Sequence, residues 1–123
     1  EMCKSNILIG KSKILIMGVS FKEDCNDIRN SKVFDIIDQL KEYNLYLSIY
    51  DPIVDSSDVY ESHKLNLLEK LDLNIKYDAI LVTVGHKIFK EIDKQEWLEV
   101  RKKGTILFDL KGIISREIDC LTL

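Results

Sequence analysis

Hydrophobic positions along this chain alternate between two registers. Short, continuously apolar runs occur at Lys13-Ile14-Leu15-Ile16-Met17, Leu45 to Tyr50, Ala79-Ile80-Leu81-Val82-Thr83-Val84 and Thr105 to Phe108. Runs of that length and continuity are the mark of strands buried on both faces. After the first of them, Val33, Ile36, Ile37 and Leu40 recur at helical spacing and predict a helix over Lys32 to Tyr43. Asn30 or Ser31 stands where its N-cap belongs, and Asn44 where it stops. A further helix is expected over Asp93 to Lys102, with Trp97 and Val100 turned inward and Lys102-Lys103-Gly104 as its exit. Residues 53–78 are polar and less regular, and there only the stretch around Lys64 to Leu71 reads as helical. Residues 1–11, closed by Gly10, read as the tail of another helix.

Strands alternating with helices predict βαβ units, right-handed crossovers and a mostly parallel sheet. The expected fold is a three-layer, Rossmann-like α/β sandwich formed by residues 12–123 as one domain. In such a sheet the carboxyl ends of the strands share one edge, where ligands bind. Four segments are expected to meet there: the loop Gly18 to Ser31, Asp51, Gly85-His86, and Asp109 to Lys111. The loop is the richest of them, with a permissive glycine, the Phe21 ring, Lys22, Arg29 and several short polar side chains. Lys22, Arg29 and Lys111 bring three positive charges to that edge, which suits a phosphate or diphosphate.

Each of these residues also has a plainer reading. Phe21 could cap the core, and Asp27 could pair with Arg29 merely to stiffen the loop. Asp51 occupies the place of the acid that holds a cofactor ribose, but the first turn has Gly18 alone and lacks G-x-G-x-x-G. A structural Asp-Pro strand end is therefore the favoured reading of Asp51 and Pro52. His86 is open between a ligand contact and a satisfied loop histidine, and His63 reads as plain surface.

Charge and composition remove whole classes of function. A net charge of −3 leaves no electrostatic footprint for nucleic acid or an anionic membrane. No apolar run approaches the roughly 20 residues of a membrane helix. Cys3, Cys25 and Cys120 form no metal-binding spacing, and an odd number of cysteines fits a reducing cytoplasm. Lys22 and Arg29 could lower the pKa of Cys25, yet no neighbouring base equips it as a nucleophile. The chain opens at Glu1 without an initiating methionine, which reads as an excised piece of a longer chain or the product of tag removal.

The segment from Lys13 to Asp55 resembles the C-terminal domain of the UDP-glucose/GDP-mannose dehydrogenase family. The likeness is carried by the strand, the loop Gly18-Val19-Ser20-Phe21-Lys22-Glu23-Asp24-Cys25-Asn26-Asp27-Ile28-Arg29-Asn30-Ser31, its helix and Tyr50-Asp51-Pro52. It continues more weakly through Val84-Gly85-His86 to Asp109-Leu110-Lys111-Gly112, and F-K-x-x-x-x-D-x-R-x-S is its most specific part. The family's enzymes use NAD to oxidise the C6 hydroxyl of a nucleotide sugar to a carboxylate. The resemblance implies that Phe21, Lys22 and Lys111 contact the UDP-sugar and that Arg29 reaches NAD across a domain interface. Gly18, Asp27, Asn30, Ser31 and His86 would support the loop. Arg29-Asn30-Ser31-Lys32 is similar to the branch acting on UDP-N-acetylhexosamines.

The family's NAD-binding N-terminal domain and its central region, with the catalytic cysteine, have no counterpart in this sequence, and Cys25 does not match that nucleophile. Residues 1–11 would be the end of the helix that joins the central domain to this one. The expectation is a substrate-binding part of a cytoplasmic, homodimeric dehydrogenase, with no catalytic residue of its own and no activity alone. The rival is a free-standing nucleotide-binding regulatory module. A phosphoacceptor receiver domain is excluded, because Met17-Gly18-Val19 stands in place of its acidic pair and Asp109 lies too close to Lys111.

Overall fold

A computed structural model of the chain describes residues 11–114, 118 and 120. The expected helix tail over residues 1–11 lies almost wholly outside them. The element order is β1 (Lys13–Met17), α1 (Val33–Lys41), β2 (Tyr46–Tyr50), α2 (Ser56–His63), β3 (Ala79–Val82), α3 (Lys87–Lys90), α4 (Lys94–Lys102) and β4 (Ile106–Asp109). The strands form one all-parallel sheet in the order β2-β1-β3-β4, with Ile14 opposite both Leu47 and Ala79, and Ala79 opposite Ile106.

Two apolar layers explain why β1 is hydrophobic at every interior position. Ile14 and Ile16 enter a cluster with Phe34 and Ile37 of α1, Ile49 of β2 and Val59 of α2. Leu15 and Met17 point the other way, into a cluster with Ile80, Phe89 of α3, Trp97 and Val100 of α4, and Leu107. The sheet is thus covered on both faces, as the expected sandwich requires. The chain leaves β1 for β2 on one side and reaches β3 and β4 on the other, so the order reverses beside β1. That reversal opens a crevice at the carboxyl ends of β1 and β3.

Three local expectations are corrected. The helix of the middle segment is Ser56–His63, and Lys64 to Leu71 is not helical. Asp55 sets the start by accepting from Ser57 N–H at 2.8 Å, and Lys64 sets the end in a left-handed conformation (φ 57). Beyond it, Leu68 N–H donates to the Ile49 carbonyl at 2.7 Å, fastening that irregular segment to the free side of the edge strand β2.

Neither Asn30 nor Ser31 caps α1: Lys32 is the N-cap residue and makes no side-chain cap bond. Asn30 takes the left-handed bend (φ 62), while the Ser31 hydroxyl donates back to the Ser20 carbonyl at 3.4 Å. Nor is His63 plain surface. Its half-buried ring stacks on Phe34 with centroids 3.6 Å apart and planes 5° apart, joining α2 to α1. Asn44, by contrast, ends the α1 region with a left-handed residue (φ 56), as its position in the sequence predicts.

Candidate functional site

Gly18 begins the site because only glycine fits the exit from β1. Its φ is 103°, and a Cβ there would lie 2.6 Å from Val84 Cβ on the neighbouring β3 extension. Gly18 N–H donates to the Tyr50 carbonyl, and the buried Thr83 hydroxyl is shared between the Met17 and Gly18 carbonyls at 2.9 and 2.6 Å. The loop therefore leaves the sheet from a fixed point, welded to both neighbouring strands.

Asp51 fixes the next two residues. Its buried Oδ2 accepts from Val19 N–H at 2.8 Å, Ser20 N–H at 3.3 Å and His86 Nε2 at 2.9 Å, and its Oδ1 from Ile53 N–H at 2.9 Å. Burial pushes this carboxyl up, but the bonds from His86, Val19 and Ile53 outweigh it and hold the pKa below the ordinary aspartate range. With its oxygens occupied by the chain itself, Asp51 is the structural strand end that the sequence favours. His86, with no exposure, is the satisfied loop histidine of the two alternatives. A lone Gly18 and a sequestered Asp51 do not make a dinucleotide site, so this crevice does not fit NAD in the usual Rossmann manner.

Farther out, Phe21 N–H donates to the Asp27 carbonyl at 2.7 Å and closes the loop on itself. Asp27 also accepts from Arg29 N–H at 2.8 Å and from Arg29 Nε and Nη2, each at 3.0 Å. The Arg29 side-chain bond, then its backbone bond, hold the Asp27 carboxyl below its usual range, and the same pairing raises the Arg29 guanidinium.

Between this loop, the N-terminus of α1 and the turns after β3 and β4 lies a cavity of about 540 Å³. Phe21, Lys22, Asn30 and Ser31 line it from the loop, Thr83 to Gly85 from the end of β3, and Leu110 and Lys111 from beyond β4. The structure thus brings Lys22 and Lys111 to one cavity, as the parallel-sheet reading requires. Phe21 is 55% exposed there, so it presents a ring to the cavity mouth and is not a core cap. Asp109 supports Lys111 from below: its carboxylate accepts from Ile113 and Ile114 N–H at 3.1 and 2.8 Å, fixing the turn. Arg29 is not in this cavity. It lines a separate, more open groove with Cys25, Asp27, Asp58 and Glu61.

Some participants escape a reading of the sequence. Glu23 and Lys32 also line the cavity, and Asp24 joins the loop to the start of α3. Lys32 is hidden by its place at a helix start. Thr83 is the one residue with a signal, as a hydroxyl inside an otherwise apolar strand run.

An open parallel sheet with a polar-rimmed cavity at its switch point defines the chain as a Rossmann-like ligand-binding domain. A model of the UDP-glucose/GDP-mannose dehydrogenase family, UDP binding domain, matches residues 15–116. The chain belongs to that family, in agreement with the resemblance carried by its loop motif. It is 34% identical over 116 residues to a UDP-N-acetyl-D-glucosamine 6-dehydrogenase of Salmonella typhi, covering 94% of this chain and 27% of that protein. A second such dehydrogenase, of Pseudomonas aeruginosa, is 32% identical over 122 residues, covering 99% of this chain and 29% of the relative. The chain therefore spans less than a third of the length of these relatives. A solved NDP-N-acetyl-D-galactosaminuronic acid dehydrogenase from Methanosarcina mazei Go1 shares the fold, with TM-score 0.77 and 18% identity over 94% of this chain and 24% of that one.

Proposed function

We propose that this chain is the nucleotide-sugar-binding domain of an NAD-dependent 6-dehydrogenase that converts a UDP-N-acetylhexosamine to its uronate. The observation that carries the reading is the cavity at the carboxyl edge, where Lys22 and Lys111 stand with Phe21 at the mouth. Its volume is within the range of roughly 300–1,000 Å³ typical of small-molecule sites. Two flexible ammonium groups suit the oxygens of a diphosphate, and the exposed Phe21 ring offers an apolar face to a base or sugar. The names of the two curated relatives support an N-acetylhexosamine as the sugar.

In this reading the domain binds and orients; it carries no catalytic residue. Lys22 and Lys111 anchor the diphosphate, which holds the sugar against reacting groups elsewhere in the parent protein. Correct positioning of this kind is worth several kcal/mol of barrier. NAD would supply the hydride acceptor and be held mainly by another domain. Arg29, already charged and preoriented by Asp27, would present its exposed guanidinium to it. The parent would act as a cytoplasmic homodimer, and the chain alone would bind without turnover.

The test has two parts. Calorimetry should detect UDP and UDP-N-acetylhexosamine binding to the 123-residue chain. In the parent enzyme, Lys22→Ala should raise the apparent KM for the nucleotide sugar about ten-fold or more, as expected when a charged hydrogen bond is lost. An unchanged KM and kcat would remove Lys22 from the assigned role.

A further inference from the structure

His86 is a fully buried titratable group that ligand binding does not use directly. Its ring is enclosed by Asp51 at the end of β2, by Ser20 and Asp24 of the loop, and by the Phe89 ring of α3 at 5.3 Å. A backbone N–H can only donate, and Asp24 N–H lies 2.9 Å from His86 Nδ1. Nδ1 therefore carries a lone pair, and the proton of the neutral ring sits on Nε2, where it is donated to Asp51 Oδ2.

Asp24 returns the grip, because its Oδ1 accepts Lys87 N–H at 2.9 Å. Two reciprocal bonds thus join the loop to the turn after β3. Asp24 is also one of the non-glycine residues with left-handed backbone (φ 55), a conformation that persists only where its surroundings hold it. The two residues before it, Lys22 and Glu23, both line the cavity.

We propose that His86 and Asp24 are positioning residues, a clasp that holds the left-handed bend and thereby aims Lys22 and Glu23 at the ligand. Asp51 selects the ring tautomer, His86 receives the loop, and Asp24 locks the loop to the β3 turn. The clasp rests on the nucleotide reading only for the identity of its ligand.

Three measurements on the 123-residue chain test it. Long-range proton–nitrogen NMR of the His86 ring should show Nε2–H with Nδ1 unprotonated; the opposite tautomer would overturn the clasp. Amide hydrogen exchange at positions 24 and 87 should be slowed in the wild type and accelerated in Asp24→Ala, a variant of an exposed side chain that leaves the core intact. Equal rates in the two proteins would overturn it as well. UDP affinity should fall about ten-fold in Asp24→Ala, the low end for loss of a hydrogen bond to a charged group, and recover in Asp24→Asn. Asparagine keeps an oxygen for Lys87 N–H and tolerates the left-handed bend. Wild-type affinity in Asp24→Ala contradicts the positioning role. A wild type that fails to bind UDP overturns the nucleotide reading instead, while tautomer and exchange still decide the clasp.

Discussion

Asp51 and Gly18 hold the ligand loop at its root, and each acts through a different kind of constraint. For Asp51 the constraint is charge. Its folded pKa is depressed, so its contribution is present above the unfolded aspartate value near 4 and lost as pH falls through the lower folded value. Asp51→Ala should destabilise the domain by about 3–5 kcal/mol in urea unfolding at pH 7, because three backbone N–H groups and the buried His86 ring lose their acceptor. The difference from wild type should narrow as unfolding is repeated at pH values falling below the ordinary aspartate pKa of about 4. For Gly18 the constraint is steric, since left-handed strain and contact with Val84 add in Gly18→Ala. A loss of about 2–4 kcal/mol is expected from the two together, read from the same denaturant midpoints. The need for glycine was legible in the sequence from the strand-to-loop position. The number of donors that converge on Asp51 was not, because Val19, Ser20 and His86 reach it only after β1, β2 and β3 are aligned.

Among the elements, the strands are readable as short, continuously apolar runs and α1 from apolar positions at helical spacing. The middle segment is not, and α2 shows why. Its buried residue is Val59 alone, so no apolar stripe betrays it, whereas the leucines after Lys64 mimic a helical face while packing as an irregular strap along β2. What defines α2 is its start: Asp55→Ala removes the carboxylate that accepts Ser57 N–H and should cost about 1 kcal/mol, measured as a lowered unfolding midpoint. The contact of His63 with Phe34 was equally invisible, being made between helices that the sequence does not bring together. Asn30 and Ser31 misled for a related reason. Both are good capping residues, yet tertiary bonds and a tight bend in the loop claim them first.

At the scale of the whole molecule, alternation of element types was enough to predict the parallel sheet, and the sheet alone determines which loops meet. That is why the sequence pattern alone assigns Lys22 and Lys111, far apart in sequence, to one edge. What the pattern could not supply was the division of that edge into two compartments. The cavity holds Lys22 and Lys111, while Arg29, turned to Asp27, lines the neighbouring groove. The division fits a domain that grips one ligand itself and offers a second charge to something beyond it.

The central claim, that the carboxyl-edge cavity receives a nucleoside diphosphate, is tested most directly by mapping UDP-induced shifts of the backbone amides by NMR. The account predicts that residues 20–23, 30–33, 83–85 and 110–111 move together and saturate with one affinity, while the opposite edge of the sheet stays still. Shifts confined to the amino ends of the strands, or none at saturating UDP, would contradict it.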